Sequence, residues 1–298
     1  MTFAMRPGIC SGWHATRLAV ALTPNLDTNM PCHSDDLRSN HLLGALPEED
    51  LRALEPLLEL VRVRDSQLLC DAGVPATYMY FPTTAVMSLL HLKEDGAIVE
   101  IAAVGREGMV GVQALAGGGS LPGRVEVRSG GMAYRIAVHA IRKECDRSMG
   151  IYRVMVLYMQ ALMTQIAQSA LCTKHHSIRQ QLCRWLLVAH DQLASDELSV
   201  TQQMIANMLG VRREGVTQAA GKLHDAALIR QRRGRITVVN RPGLEDCACE
   251  CYSMIRRELG RLLPREHEVA ASGHLPQALA TVGKPLSFDS QSRLLQSS

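Results

Sequence analysis

Apolar residues recur at helical spacing between residues 151 and 171. One stripe consists of Ile151, Met155, Tyr158, Leu162 and Ile166, and the stripe beside it consists of Val154, Leu157 and Ala161. Two adjacent apolar stripes predict a long helix with two surfaces to bury. We expect one surface to pack on its own domain and the other, formed by the first stripe, to pack on the same helix of a second chain. The alternative is a helix buried entirely within one chain.

Residues 61–136 have a different pattern, in which short apolar or alternating runs are separated by glycine-containing turns. Val99, Ile101 and Ala103, for example, alternate with their neighbours. Many short strands at spacings of about 8–12 residues predict a β-sandwich or barrel. A helix is predicted just before them, because residues 46–50 place proline and acidic residues where they suit a first helical turn.

Residues 199–240 contain two short helical patterns followed by a hairpin. Thr201 is placed to cap the first helix, Gly210 ends that helix at a tight turn, and the second helix begins near Arg212. The hairpin has its tip at residues 232–234, and its return strand follows directly. This order is the layout of a winged helix-turn-helix, whose second helix enters the major groove of DNA.

Positive charge is concentrated in this same stretch. It carries seven basic and two acidic residues, a net charge of +5, whereas the whole chain of 298 residues has a net charge of +3. Local basic charge neutralises DNA phosphates, so the charge distribution favours the DNA-binding interpretation. A solvated pair of basic helices without a ligand is the alternative.

Composition excludes several other classes of protein. Apolar residues make up 47% of the chain, enough to fill a core, but no run of 18 uncharged apolar residues occurs. The N-terminus lacks the compact apolar core of a secretory signal. The nine cysteines are odd in number and scattered, which argues against a disulfide framework. We therefore predict a cytoplasmic protein without a membrane partner.

The order of a β-rich domain, a long helix and this helix-turn-helix resembles the Crp–Fnr family of bacterial transcription regulators. The resemblance covers about residues 41–263 and is most specific in the segments VTQQMIANMLGVRREGVTQAAGKL and RGRITVVN. It implies an α+β fold with an N-terminal, cyclic-nucleotide-binding-like β jelly-roll as sensor, a long dimerisation helix and a C-terminal winged helix-turn-helix. It also implies a homodimer that reads two half-sites of double-stranded DNA, with RNA polymerase as a candidate further partner.

The predicted organisation has six segments. They are a flexible N-terminal lead (1–40), a cyclic-nucleotide-binding-like β-roll (41–147), the long dimerisation helix (148–173), the winged helix-turn-helix domain (174–244), a C-terminal helix (245–263) and a disordered tail (264–298). The lead is assigned to disorder because it shows no sustained periodicity.

Three positions that read bases in the family correspond to Arg213, Glu214 and Gln218. Arginine can reach guanine O6 and N7, glutamate can accept a hydrogen bond from cytosine N4, and glutamine can pair with adenine. Thr217 shares this outer face of the helix and completes the predicted base-reading set. The residues predicted to contact phosphate are Thr201, Arg212, Lys222, Arg232, Arg233 and Arg235.

The predicted sensor departs from the phosphate cassette of relatives that bind cyclic nucleotides. Val112 stands where the cassette has a glutamate for the ribose, and Leu121 and Pro122 stand where it has an arginine and a small partner. Arg124 is a few residues out of register. Because a buried phosphate without a charged partner is unfavourable, we predict no binding of cyclic AMP or cyclic GMP, an unidentified effector and no cofactor. The alternatives are a cyclic-nucleotide-responsive regulator and a DNA-binding protein without sequence preference.

No catalytic constellation is evident, since His175 and His176 lack an acidic partner at catalytic spacing, and we predict that the protein is not an enzyme. Cys247 and Cys251 are four residues apart on one predicted helix, and Cys249 points elsewhere. Two thiolates could supply half of a zinc site, but no further ligands are evident, so no metal is predicted. Apolar packing of these cysteines is the favoured interpretation, and thiol redox sensing is the alternative.

Overall fold

The computed structural model describes residues 34–92, 98–117, 123–193 and 195–263. Three short helices come first: α1 (Ser34–Leu37), α2 (His41–Gly44) and α3 (Glu48–Leu54). Asn40 caps α2, and its side-chain amide also donates to the carbonyls of Pro82 and Gly108, over 2.8 and 2.9 Å. Leu37 and Asn40 are fully buried. Residues 34–40, which were assigned to the predicted flexible lead, thus include a helix and two side chains that pack on the β-domain. Residues 1–33 of that lead and the predicted disordered tail (264–298) lie outside the described residues.

Two antiparallel sheets form the N-terminal half. The strands are β1 (Glu59–Val63), β2 (Leu68–Cys70), β3 (Tyr78–Pro82), β4 (Val86–Leu92), β5 (Ile98–Val104), β6 (Arg124–Ser129) and β7 (Gly131–Ala137). One sheet has the order β1-β7-β3 and the other β2-β6-β4-β5. Met79, Phe81, Met87 and Tyr134 are fully or almost fully buried in the core between them. The predicted β-rich domain is confirmed.

Three helices lead from the β-domain toward the C-terminus: α4 (Val138–Arg147), α5 (Met149–His175) and α6 (Ile178–Gln192). Ser148 caps α5, and Ser177 forms a capping box with Gln180 at the start of α6. Within the described residues, α5 alone is long and apolar enough to cross a membrane, with a mean hydropathy of 1.2 over its best 18-residue window. Six of its apolar side chains are buried in the β-domain core.

The structure corrects the predicted role of the first apolar stripe on α5. Ile151, Met155, Tyr158 and Leu162 are buried in the core of their own chain, and Ile166 is partly buried against that core. They are therefore not available to a partner helix. The face that points outward carries a different set of apolar side chains, namely Met149, Tyr152, Val156, Met163 and Leu171. Val154 and Ala161 of the second predicted stripe are buried in the same core, and Leu157 packs against it. The β-domain therefore covers both predicted stripes, and the outward apolar face was not predicted from the sequence.

The C-terminal half has its own core. Its elements are β8 (Glu197–Ser199), α7 (Gln202–Leu209), α8 (Arg213–Asp225), β9 (Ile229–Arg232), β10 (Arg235–Val238), α9 (Arg241–Cys247) and α10 (Glu250–Leu262). The three strands form a sheet with the order β8-β10-β9. Leu186, Ile205, Val216 and Ile236 are among the side chains buried inside.

The single C-terminal helix predicted at residues 245–263 is in fact two helices. Ala248 and Cys249 have extended backbone angles, so α9 ends at Cys247 and α10 starts at Glu250. Helix α10 then runs antiparallel along α5: Cys249 contacts Cys172, and Glu258 accepts a hydrogen bond from Gln160. Because of this break, Cys247 and Cys251 lie on different helices.

Candidate nucleic-acid interface

The turn between α7 and α8 is fixed by one cap and one glycine. The Thr201 hydroxyl accepts a hydrogen bond from the Met204 N–H over 3.2 Å at the start of α7. Gly210 ends α7 with φ at 65°, in the left-handed region that favours glycine. Val216 and Leu223 are buried on the inner face of α8, so the opposite face of this helix points toward solvent.

The predicted base-reading residues all lie on that outer face. Arg213, Glu214, Thr217 and Gln218 are exposed. The Thr217 hydroxyl donates to Oε1 of Gln202 over 2.7 Å, so its own chain already holds it in place. Within the described residues, the side chains of the other three form no hydrogen bond or ion pair. Their donors and acceptors are therefore free to meet base edges.

The predicted phosphate contacts surround this face but are not equivalent. Arg212, Lys222, Arg232 and Arg233 are exposed, and Gly234 turns the hairpin tip beside the last two with φ at 73°. Other residues of the set already have partners. Arg235 pairs with Glu197 over 2.6 Å, and the Thr201 hydroxyl is used as a helix cap. Arg232 and Arg233 are thus the wing arginines of the set whose side chains form no hydrogen bond or ion pair within the described residues.

The segment that stands in place of a phosphate cassette contains a short 3-10 helix. The helix spans Val112–Ala116 and lies between two glycines with left-handed backbones. Val112 is fully buried, and Arg124 pairs with Asp71 over 3.1 Å. Leu121 and Pro122, on which the same prediction depends, lie outside the described residues. Val112 therefore offers no carboxylate at the position where the cassette of cyclic-nucleotide-binding relatives has a glutamate.

A cavity of 330 Å³ lies between the two halves of the chain. Strand β5, helices α5 and α6 and the end of α7 form its walls, and Gly210 of the helix-turn-helix lines it. The ion pair between Glu100 and Arg128 lies in its wall and is almost completely buried. The cavity therefore connects the β-domain to the turn that positions α8.

A second group of side chains, whose atoms could ligate a metal ion, was missed by the sequence reasoning. Cys172, His176, Cys249 and Cys251 lie together at the end of α5. The Cys172 thiol is in hydrogen-bond contact with the Cys249 sulfur, and this contact lowers the pKa of Cys249 by stabilising its thiolate. Cys247, which was paired with Cys251 in the sequence, is not part of the group because α9 and α10 are separate helices. No sequence motif joins ligands that are more than 70 residues apart.

One known protein family matches a part of the C-terminal half of the chain. Residues 180–247 match the family described as the Crp-like helix-turn-helix domain. This chain carries a Crp-like helix-turn-helix domain. The match begins in α6 and ends with α9, so it contains α7, α8 and the wing. No curated protein sequence matches the chain significantly.

Solved structures extend the likeness to the β-domain. A regulator of the Crp/Fnr family from Eubacterium rectale is 16% identical, with a TM-score of 0.56 over 70% of this chain and 98% of that one. FixK2 from Bradyrhizobium japonicum is 17% identical, with a TM-score of 0.57 over 64% and 98% of the two chains. CLP from Xanthomonas campestris, described as a c-di-GMP-responsive global regulator, is 14% identical, with a TM-score of 0.52 over 64% and 99%.

At these identities the likeness establishes the fold. The β-rich domain, the long helix and the helix-turn-helix occur in the order found in Crp/Fnr transcription regulators. The predicted resemblance and fold class are confirmed. The chain therefore has the fold of Crp/Fnr transcription regulators, and its residues 180–247 form a Crp-like helix-turn-helix domain.

Proposed function

We propose that the protein binds DNA as a homodimer and reads a two-fold symmetric operator through α8 in the major groove. The observation that carries this proposal is the outer face of α8. There, Arg213, Glu214 and Gln218 are exposed and unpaired within the described residues, and each has the chemistry of direct base readout. The exposed arginines of the wing flank that face and suit phosphate contacts, which position the protein without specifying sequence.

The outward face of α5 supports the homodimer. Met149, Val156 and Met163 are seven residues apart, as are the core positions of a coiled coil, and they are 65, 41 and 66% exposed. Tyr152 lies between them and is 47% exposed. A stripe of large apolar side chains exposed to solvent is typical of a surface that binds another protein chain. We infer that this stripe is the dimer seam, in place of the stripe that is buried in the β-domain.

The sensor is proposed to respond to something other than cyclic AMP or cyclic GMP. Val112 is buried and apolar where a ribose acceptor would be needed, and Arg124 is paired with Asp71. The protein would act in the cytoplasm as a regulator and not as an enzyme. Its partners would be DNA, a second copy of itself and RNA polymerase at the promoter.

The DNA-binding proposal is tested by selection of bound duplexes from a random DNA pool with the full chain. We expect enrichment of two inverted half-sites whose centres are about one helical turn apart, roughly 34–36 Å. Enrichment of a single half-site would contradict the dimer but support base reading. The absence of any enriched motif, together with tight binding to the whole pool, would favour a DNA-binding protein without sequence preference.

The ligand proposal is tested by isothermal titration of the protein with cyclic AMP and cyclic GMP. We expect no binding tighter than about 10 μM, which corresponds to roughly −7 kcal/mol. A tighter dissociation constant for either nucleotide would show a working phosphate cassette. In that case, the correspondence of Val112 with the cassette's glutamate would be wrong.

A further inference from the structure

Four metal-ligating side chains meet where the long helix ends. Cys172 lies in the last turn of α5, His176 is the extended residue that follows this helix, and Cys249 and Cys251 flank the start of α10. One ligand atom from each residue lies within 4.8 Å of the other three. The two sulfurs of Cys172 and Cys249 are 3.5 Å apart, and the Cys251 sulfur is 3.6 Å from Nδ1 of His176.

These distances fit the edges of a tetrahedron around one metal ion. A zinc–sulfur bond of about 2.3 Å and a zinc–nitrogen bond of about 2.0–2.1 Å place tetrahedral ligand atoms about 3.5–3.8 Å from each other. The Cys172–Cys249 and Cys251–His176 contacts have this length, and the other separations among the four ligand atoms are at most 4.8 Å. An iron–sulfur cluster is less suitable, because it spreads its ligands over several iron atoms and needs wider separations.

The packing of the cysteines does not explain their position. Buried cysteines that act as small apolar residues join the core around them. Here the three cysteines form a cluster of their own, separate from the core of the β-domain and from that of the helix-turn-helix. Cys172 and Cys251 are fully buried, and Cys249 is 5% exposed. Thiols are weak hydrogen-bond partners, so three cysteines packed together gain little from their mutual hydrogen bonds.

The surroundings of the four ligands also suit a cation. Nε2 of His176 lies 3.2 Å from a carboxylate oxygen of Glu250, which leaves Nδ1 to face the sulfurs. A carboxylate on the outer nitrogen of a histidine orients the ring and strengthens it as a ligand. Cys249 and Cys251 also lie at the N-terminus of α10, where the helix dipole stabilises thiolates.

We propose that these four side chains bind one Zn²⁺ ion in a closed, tetrahedral Cys₃His site. Three thiolates and one imidazole fill the coordination shell, which is typical of a structural site rather than a catalytic one. Binding releases one proton from each cysteine that arrives as a thiol. No oxidant or reductant is needed.

The location of the site determines which helices a bound ion would hold together. It would join the end of α5 to the start of α10, next to Ser177, where α6 and the DNA-binding half begin. A surface depression lined by Ala248, Cys249, Glu250 and Tyr252 opens beside the ligands and offers a route from solvent. The bound ion would hold the helix pair α5–α10 together at the junction of the two halves.

The test is a cobalt titration of the full chain, purified with a chelator under anaerobic, reducing conditions. We expect one Co²⁺ per chain, with a thiolate charge-transfer band and the intense d–d bands of tetrahedral coordination. Zn²⁺ should displace the Co²⁺ stoichiometrically. The thermal midpoint of the protein should also rise with Zn²⁺, because the ion binds the folded state.

Four variants make the test specific. Cys251→Ser and His176→Asn should lose the tetrahedral spectrum, and His176→Asn remains informative if Cys251→Ser does not fold. Cys247→Ser is the matched control, because this partly buried cysteine of α9 lies outside the group, and it should bind cobalt as the parent does. Glu250→Gln should weaken zinc binding by about 10- to 100-fold while the spectrum stays tetrahedral.

Three results would overturn the proposal. They are the absence of stoichiometric cobalt binding, unchanged binding in Cys251→Ser and His176→Asn, and an iron–sulfur absorption spectrum in the protein as isolated. A disulfide between Cys172 and Cys249 that persists in the anaerobic, reduced preparation, detected by mass spectrometry, would also overturn it. DNA selection with the control variant is independent of these outcomes, so failure of the metal site would leave the proposed function standing.

Discussion

The indole Nε1 of Trp185 donates a hydrogen bond to Oε1 of Glu100 over 3.4 Å, which links α6 to strand β5. Glu100 also pairs with Arg128 over 3.5 Å, and the Arg128 guanidinium lies over the Trp185 ring at 4.9 Å from its centre. The side chains of Glu100 and Arg128 are 6 and 8% exposed. A buried ion pair capped by an aromatic ring therefore joins the β-domain to the DNA-binding half.

Removing one member of that pair should destabilise the chain strongly. Glu100→Ala leaves the guanidinium of Arg128 buried without its carboxylate, which we expect to lower the free energy of unfolding by about 3–5 kcal/mol. Urea denaturation followed by circular dichroism measures the change. Arg52→Ala is the control, because its pair with Glu48 is on the surface and should contribute about 1 kcal/mol or less. Equal effects in both variants would show that Glu100 and Arg128 do not act as a buried pair.

The outward stripe of α5 predicts how dimerisation can be abolished. Met163→Glu places a charge on the inferred seam, where a partner helix would strip it of water, so the variant should sediment as a monomer. Lys143→Glu reverses a charge at an exposed position of α4 and should leave the sedimentation unchanged. Leu162→Glu should instead lower the thermal midpoint, because Leu162 is only 4% exposed inside its own chain. A dimeric Met163→Glu variant would contradict the seam.

The buried carboxyl of Glu107 predicts a pH dependence of stability. Burial, with a smaller contribution from Asp191, raises its pKa above the ordinary 4.5. The folded protein therefore binds this proton more tightly than the unfolded chain does. Its contribution to stability is fully present below pH 4.5 and is lost as the pH rises through the raised pKa.

Glu107→Gln tests this dependence. The glutamine cannot ionise, and its carbonyl can still accept from the Gly105 N–H and from Nε2 of Gln192. We expect the variant to gain stability relative to the parent as the pH rises toward neutral, and the two to converge in acid. Glu126→Gln on β6 is the control and should follow the parent at every pH. A Glu107→Gln variant that is less stable than the parent at neutral pH would show that the carboxylate itself is needed.

The helix-turn-helix could be predicted from the sequence because its signals are local. Thr201 caps α7 and Gly210 adopts the left-handed backbone that the turn needs, as the spacing predicted. The outward apolar face of α5, which we propose as the dimer seam, could not be predicted in the same way. Both faces of α5 carry apolar side chains, and only the packing of the β-domain decides that Tyr158 is inside and Tyr152 outside.

The cysteine and histidine group shows a second limit of sequence reasoning. The extended backbone at Ala248 and Cys249 separates α9 from α10, which a continuous helical pattern did not reveal. The other two ligands come from α5, on the far side of the whole helix-turn-helix in the chain. Long-range packing of α10 on α5 brings them together, and no local spacing encodes that contact.

Base reading by α8 is tested most directly by comparing two arginine variants on the selected operator and on a scrambled duplex. Arg213→Ala should weaken operator binding by about 1–3 kcal/mol, relax the preference at one base pair per half-site and leave binding to the scrambled duplex nearly unchanged. Arg233→Ala should weaken binding to both duplexes about equally and reduce the salt dependence. Equal losses on operator and scrambled DNA for Arg213→Ala would contradict sequence reading by this helix.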